Sequence, residues 1–246
     1  MSEQGLAPLI AIVGSDGAGK STVVASLLPW LRAYRPVAIC HLGKQSGSVG
    51  RAIARLPIIG KGADRKITSK ASGARDDAGP GAFTALVIYL LSMRRVRRFR
   101  RMLAIRRRGV AVLADRYPQI EVPGPMDGPG LFAAAPTSAV ARMLGKRERM
   151  YYDWMAGYRP DLVIRLNVDL ATAVARKPDH RYTSLKTKVE AVPRLLFNGA
   201  RIVDIDSTQP LAEVLEQAKR AISTALDIPW TTSSEANADP SAARKS

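Results

Sequence analysis

The chain has 246 residues, 46% of them hydrophobic, enough to bury one sizeable core and short for two full domains. Its one cysteine, Cys40, excludes an intramolecular disulfide; with no basic leader and no apolar run near the roughly 20 residues of a membrane span, a cytoplasmic location is expected. The formal net charge is +17, and residues 41 to 110 carry 17 Lys and Arg against three Asp, which favours anionic partners such as nucleotides, nucleic acid or acidic lipid without choosing between them.

The first predicted element is the strand PLIAIVG, an apolar run that stops at a glycine-rich turn. Next, KSTVVASLLPWLRAY spaces Val23, Val24, Leu27, Leu28 and Leu31 along one helical face. A second strand, PVAICHL, leads into a Gly-, Ser- and Lys-rich stretch over residues 43 to 81, with a short helix expected near Val49 to Leu56. From Phe83 onward, Leu86, Val87, Leu90, Met93, Val96, Phe99 and Leu103 recur at intervals of three and four. That predicts one long amphipathic helix, stopped by Gly109, with arginines on its other faces. The segment VAVLA reads as a buried strand ending at Asp115, Arg116 and Tyr117, followed by the loop PGPMDGPG and a helical stretch from about Thr137 to Gly157. Two further strands, DLVIRLNV and RIVDID, are each followed by a helix, at Leu170 to Arg176 and Leu211 to Leu226. Strands alternating with helices in this way predict an α/β fold, a five-stranded parallel sheet covered by helices on both faces, with ligands beyond the carboxyl ends of the strands. One domain is expected over residues 1–230, and a disordered tail over 231–246, where no apolar period remains.

The turn after the first strand, GSDGAGKST, meets the pattern G-x-x-x-x-G-K-[ST] at Gly14, Gly19, Lys20 and Ser21. Its place between a strand and a helix is what phosphate binding requires. Glycines let backbone N–H groups curl around an anion, and the helix N-terminus adds its positive end. ATP is therefore expected along Gly14, Asp16, Gly17, Ala18, Gly19, Lys20, Ser21 and Thr22, with Lys20 on the β- and γ-phosphates and Ser21 on Mg²⁺. A GTPase would need a guanine-reading Asn-Lys-x-Asp element, and the chain has none.

Joined to LADRYP and PDLVIRLNVDLATAVAR, this P-loop gives a chain that resembles the thymidylate kinase family of nucleoside monophosphate kinases over roughly Leu9 to Leu226. The resemblance implies a P-loop kinase fold, ATP and Mg²⁺ as cofactors, and Asp16 facing the acceptor sugar. It also implies an acceptor-binding arginine at Arg95, 20 residues before Asp115, and the family's Asp-Arg-aromatic signature at Asp115, Arg116 and Tyr117. The basic segment ARKPDHRYTSLKTK falls where the family has its mobile lid, about residues 175–190, and RIVDIDST where its backbone holds the adenine. In-line phosphoryl transfer itself needs cations around the phosphates and a carboxylate near metal and nucleophile. Lys20, Asp115, Arg116 and either Arg176 or Arg181 are the catalytic candidates, Asp16, Arg95 and Arg116 the acceptor ligands, and Ser21 and Asp115 the metal ligands.

The expected activity is ATP-dependent phosphorylation of dTMP or a related nucleotide. After Tyr117, however, PQIEVPGPMDGPGLF replaces the family's base-reading element, so a same-fold kinase for another phosphorylated or hydroxylated metabolite stands beside it. A homodimer is expected from the resemblance. The arginine-rich helix, Arg94 to Arg108, is read as a solvated face, as a surface for anionic membrane or nucleic acid, or as contacts to a highly phosphorylated substrate; the second reading carries the alternative of a basic ATP-binding adaptor.

Overall fold

Leu9–Gly14, buried at every position, forms β1 at the centre of a five-stranded parallel sheet of order β2-β3-β1-β4-β5. The computed structural model describes residues 5–43, 82–124, 126–134 and 138–229. The other strands are β2 (Val37–His41), β3 (Ala111–Asp115), β4 (Leu162–Asn167) and β5 (Ile202–Asp206). In register, Ile12 faces Asp115 on one side of β1 and Gly14 faces Leu166 on the other. A strand flanked on both edges and both faces has no place for a polar side chain, which is why β1 reads as a continuous apolar run.

Alternate β1 residues serve two cores. Ile10 and Ile12 pack with helix α1 (Lys20–Arg32) and with the C-terminal helix Leu211–Leu226 through Val23, Leu27 and Ile222. Leu9, Ala11 and Val13 pack on the opposite face against Phe99 and Met102 of α2 (Ala82–Arg107) and Tyr152 and Met155 of the helix Ala139–Ala156. The chain leaves β1 toward one face and β3 toward the other, so a crevice opens beyond the carboxyl ends of these two neighbours, the usual place for a ligand in such sheets.

The long helix α2 begins and ends near its predicted bounds. Gly109, at φ 79, donates its N–H to the Arg106 carbonyl (3.1 Å) and turns the chain into β3. Two elements differ from expectation. A four-residue helix, α3 (Gly130–Ala133), interrupts the Pro- and Gly-rich loop, its Leu131 N–H held by the buried Glu148 carboxylate at 2.7 Å. It is too short to leave a period in the sequence. The helix predicted for 137–157 is α4 (Ala139–Ala156), capped by the Ser138 hydroxyl. After α5 (Leu170–Arg176), the expected lid contains a helix of its own, α6 (Tyr182–Ala191), which buries only Leu185 and Ala191 and so shows little apolar stripe. The final helix, Leu211–Leu226, is α7. The short helix expected near Val49 to Leu56 and the expected disordered tail lie outside the described residues. Among the described residues, no helix is long and apolar enough to cross a membrane.

Candidate functional site

Between β1 and α1 the backbone approaches its surroundings too closely for side chains. A Cβ on Gly14 would lie 2.6 Å from the Leu166 carbonyl oxygen, and one on Gly17, at φ +89, about 3.0 Å from the Ala173 backbone. No side chain caps α1, whose capping residue is Gly19, so its first turn is free to meet an anion. Lys20 folds back along the loop, 7% exposed, and its Nζ donates to the Ser15 carbonyl at 2.6 Å. Burial, reinforced by the Arg116 guanidinium, lowers the Lys20 pKa to about 8, against opposing pulls from Asp16, Asp115 and Asp127.

The loop opens into a cavity of about 380 Å³ lined by Asp16, Lys20, Ser21, Asp115, Arg116 and Arg176, with Lys177 and His180 at its rim. It adjoins a more apolar cavity of about 240 Å³ formed by Ala18, Thr22, Val23, Gln209, Leu211 and Val214. Arg176 borders both, its Nη1 donating to the carbonyls of Ser207 (3.0 Å) and Gly17 (3.2 Å). Of the two arginines proposed for the lid, Arg176 therefore lines the site. Arg181, exposed at the start of α6, does not.

Asp16 is held by two cations from distant segments, Arg116 Nη2 at 2.7 Å and Lys188 Nζ at 2.5 Å, with His180 Nε2 at 3.9 Å. Burial alone would raise its pKa; the Lys188 and Arg116 charges outweigh that and hold the carboxyl well below the usual range. Arg116 has φ 68, the left-handed region, at a cost of about 1 kcal/mol. Its N–H still bonds the Ile12 carbonyl at 3.0 Å, and the turn sends the guanidinium back over the loop, past Gly43, where a Cβ would sit 2.4 Å from Arg116 Cδ.

Arg95 lies deeper than its expected role as an acceptor ligand requires. It is 1% exposed and donates to the Asp127 carboxylate (2.6 Å), the Asp127 carbonyl (2.8 Å) and the Tyr152 hydroxyl (2.8 Å). Asp127 in turn lies 3.6 Å from Arg116. Sequence reasoning missed Asp127, Lys188 and His41, whose Nδ1 is 3.1 Å from Asp115 Oδ2. Asp127 and Lys188 pair across 32 and 172 residues, so no local spacing points to them.

Asp115 sits at the end of β3 with its Oδ1 buried and without a hydrogen-bond partner. An unsatisfied carboxylate oxygen sharing a cavity with the Ser21 hydroxyl is a hard-oxygen pair that fits Mg²⁺. Among the described residues no group of three or more His, Cys, Asp and Glu could hold a metal ion, so these two would serve an ion completed by phosphate oxygens and water.

The low pKa of Lys20 gives a pH prediction. A polyphosphate prefers the charged lysine, so affinity should be level below pH 8 and fall by up to about tenfold per pH unit above it, with binding drawing in a proton. Calorimetry of ATP binding at pH 7 and pH 9, in buffers of different ionisation enthalpy, reads both effects. A pH-independent affinity would remove Lys20 from the phosphate contact.

No protein-family model matches the chain. It is 46% identical over 221 residues to a protein of Escherichia coli K12 named uncharacterized ATP-binding protein YghS, covering 89% of this chain and 93% of the relative. It is 40% identical over 218 residues to uncharacterized ATP-binding protein YghR of the same strain, covering 87% and 86%.

Proposed function

The chain belongs to the family of the YghS and YghR ATP-binding proteins, and from that premise we propose that it binds ATP across the two joined cavities and transfers the γ-phosphoryl group to a small acceptor. The observation that carries this reading is the convergence of Lys20, Arg116, Arg176 and Asp115, whose buried Oδ1 has no hydrogen-bond partner, on one cavity at the ends of β1 and β3.

The apolar cavity beside Leu211 and Val214 suits adenine, and the triphosphate would run past Arg176 to the loop. Ser21 and Asp115 would hold Mg²⁺, which when bound would supply charge neutralisation to the polyphosphate. Lys20, Arg116 and Arg176 supply the remaining cations as the acceptor oxygen forms its bond to the γ-phosphorus and the bond to the β-phosphate bridging oxygen breaks, releasing ADP. Asp16, kept ionised by Arg116 and Lys188, would accept a hydrogen bond from the acceptor and fix its approach.

The resemblance to thymidylate kinases makes dTMP or a related nucleotide the first acceptor to test. One observation favours a different acceptor on the same fold. Arg95, which would hold the acceptor phosphate, is bound to Asp127, and the space among Tyr117, Met126, Asp127 and Phe197 is filled rather than open. ADP release from MgATP, measured against nucleoside monophosphates and a second panel of sugar phosphates and polyols, discriminates the two. Acceleration of at least about tenfold by one compound is expected. Tight ATP binding with no acceleration by any compound would replace the kinase reading with that of a basic ATP-binding adaptor.

A further inference from the structure

The nine arginines between Arg94 and Arg108 do not share one role. Arg95 is sealed against Asp127. Arg106 is 2% exposed and ties the N-terminal segment to β4, donating to the Ala7 carbonyl (2.6 Å) and Asp161 (3.1 Å). Arg98 donates to the carbonyls of His41 and Gly43, both at 2.9 Å. The remaining six, Arg94, Arg97, Arg100, Arg101, Arg107 and Arg108, are exposed. At 3.6 residues per turn Arg94, Arg97 and Arg101 fall on the side of α2 opposite the buried Val96, Phe99, Met102 and Leu103, Arg100 and Arg107 lie on its flank, and Arg108 follows its last residue.

The same outward side is apolar in the first two turns. Phe83, Leu86 and Leu90 are 51%, 43% and 57% exposed, spaced by three and four residues, and continue the line of Arg94, Arg97 and Arg101. Helix α2 contains no Asp or Glu. Beside it, α4 runs in the same direction, as the contacts Ser92 to Glu148 and Arg95 to Tyr152 establish. It adds exposed Val140 and Met143 next to the apolar half and exposed Lys146 and Arg147 farther along.

We propose that the outward face of α2, apolar at Phe83, Leu86 and Leu90 and basic from Arg94 to Arg108, is a peripheral docking surface for an anionic lipid bilayer. Headgroups complement the arginines, and the acyl boundary takes the aliphatic and phenyl side chains, whose exposure to water is otherwise unfavourable. A nucleic acid backbone would satisfy the arginines and leave Phe83, Leu86 and Leu90 without a partner. A second copy would bring Arg94, Arg97 and Arg101 of both chains face to face, a repulsion with no acid on α2 to relieve it. Residues 44 to 81, just before the helix, contain eight Lys and Arg against three Asp, so the adjoining sequence adds to the attraction for anionic lipid. The face lies on the side of the sheet opposite α1 and α7, so docking leaves the cavity beside Val23 and Val214 open. The proposal stands independently of ATP binding.

The test is co-sedimentation of the full chain with sucrose-loaded vesicles, of phosphatidylcholine alone or with about one-third phosphatidylglycerol. Uptake by the anionic vesicles and not the neutral ones is expected. Replacing Arg94, Arg97 and Arg101 together by Gln should lower the partition coefficient on the order of a hundredfold, about fivefold per cation. Phe83→Ser with Leu90→Ser should lower it at least about tenfold. All five positions are exposed, and unchanged circular dichroism melting would show that the variants fold. Equal uptake by neutral and anionic vesicles, or none by either, overturns the proposal. So does binding of DNA or RNA that the Gln variant loses and the Ser variant keeps, which would make the face a nucleic-acid surface. Dimerisation abolished by the Ser variant, without vesicle uptake, would make it a contact between copies.

Discussion

Lys20→Ala is expected to lower ATP turnover by about 10²- to 10³-fold while leaving the protein as stable as before or more so. The two halves of this expectation have one cause. Lys20 is buried beside Arg116, and its ammonium is held in place by the Ser15 carbonyl and by carboxylates arranged around the cavity. With a folded pKa of about 8 against an ordinary 10.5, the charged form is disfavoured by folding, a cost on the order of 3 kcal/mol at neutral pH. The sign follows from proton counting. Between pH 8 and 10.5 the unfolded chain holds the proton that the folded chain has released, so stability rises with pH across that window and the cost is complete below it. A bound polyphosphate is the group that would repay it. The alanine variant should therefore melt at or above the wild-type temperature at pH 7, and the stability gain between pH 8 and pH 10 should be absent from it. Full turnover in the variant would refute the assigned site, and a melting temperature several degrees lower at pH 7 would make Lys20 a structural residue.

The loop and the sheet were legible in the sequence because each is specified locally. Gly14, Gly17 and Gly19 take positive φ angles, two of them against neighbouring backbone, and the strand before them is buried on both faces, so turn and strand both leave a local signature. The helix α2 was legible from its apolar spacing, but not the face it buries: Val87, Val96, Phe99 and Leu103 are buried, whereas Phe83, Leu86 and Leu90 are exposed in line with the arginines. Pairing was not. Asp16 has two cationic neighbours, Arg116 and Lys188, and the His180 ring nearby, brought by β3 and by the lid segment from 100 or more residues away. Asp127, inside a loop read from sequence as prolines and glycines, determines what Arg95 can do. A basic run in sequence likewise does not distinguish Arg95 and Arg106, which are bonded in the core, from Arg94 and Arg97, which face outward.

These pairings bear on how the site would act. Arg95, Asp127, Arg116, Asp16 and Lys188 alternate in sign from the core beneath α2 to α6. An acceptor that bonds Asp16 competes with Lys188, the one cation of the series that belongs to the lid. Arg116 is braced from both sides, its charge disfavoured by burial and restored by Asp127 and Asp16, so it stays ionised and in place when the acceptor arrives. An acceptor bound at Asp16 as proposed would thus act on α6 through a single carboxylate.

Asp115→Asn separates the chemistry from nucleotide binding. The substitution keeps the shape of the side chain and removes its charge at the end of β3, between the Lys20 loop and His41. If Asp115 acts on metal or acceptor, turnover should fall about 10²- to 10³-fold while ATP affinity changes by less than about fivefold, and the Mg²⁺ concentration needed for half-maximal rate should rise. Stability at neutral pH should fall, because the buried Lys20 charge loses one of the carboxylates that offset its burial, although Oδ1 itself has no hydrogen-bond partner to lose. A second consequence is independent of the reaction. Asp115 is one of the carboxylates that support the Lys20 charge, so its neutralisation should lower the Lys20 pKa further below about 8. The decline of ATP affinity with pH should then begin at a lower pH in the variant than in the parent chain. Loss of ATP affinity alone, with unchanged turnover and an unmoved pH profile, would make Asp115 a partner of His41 and nothing more.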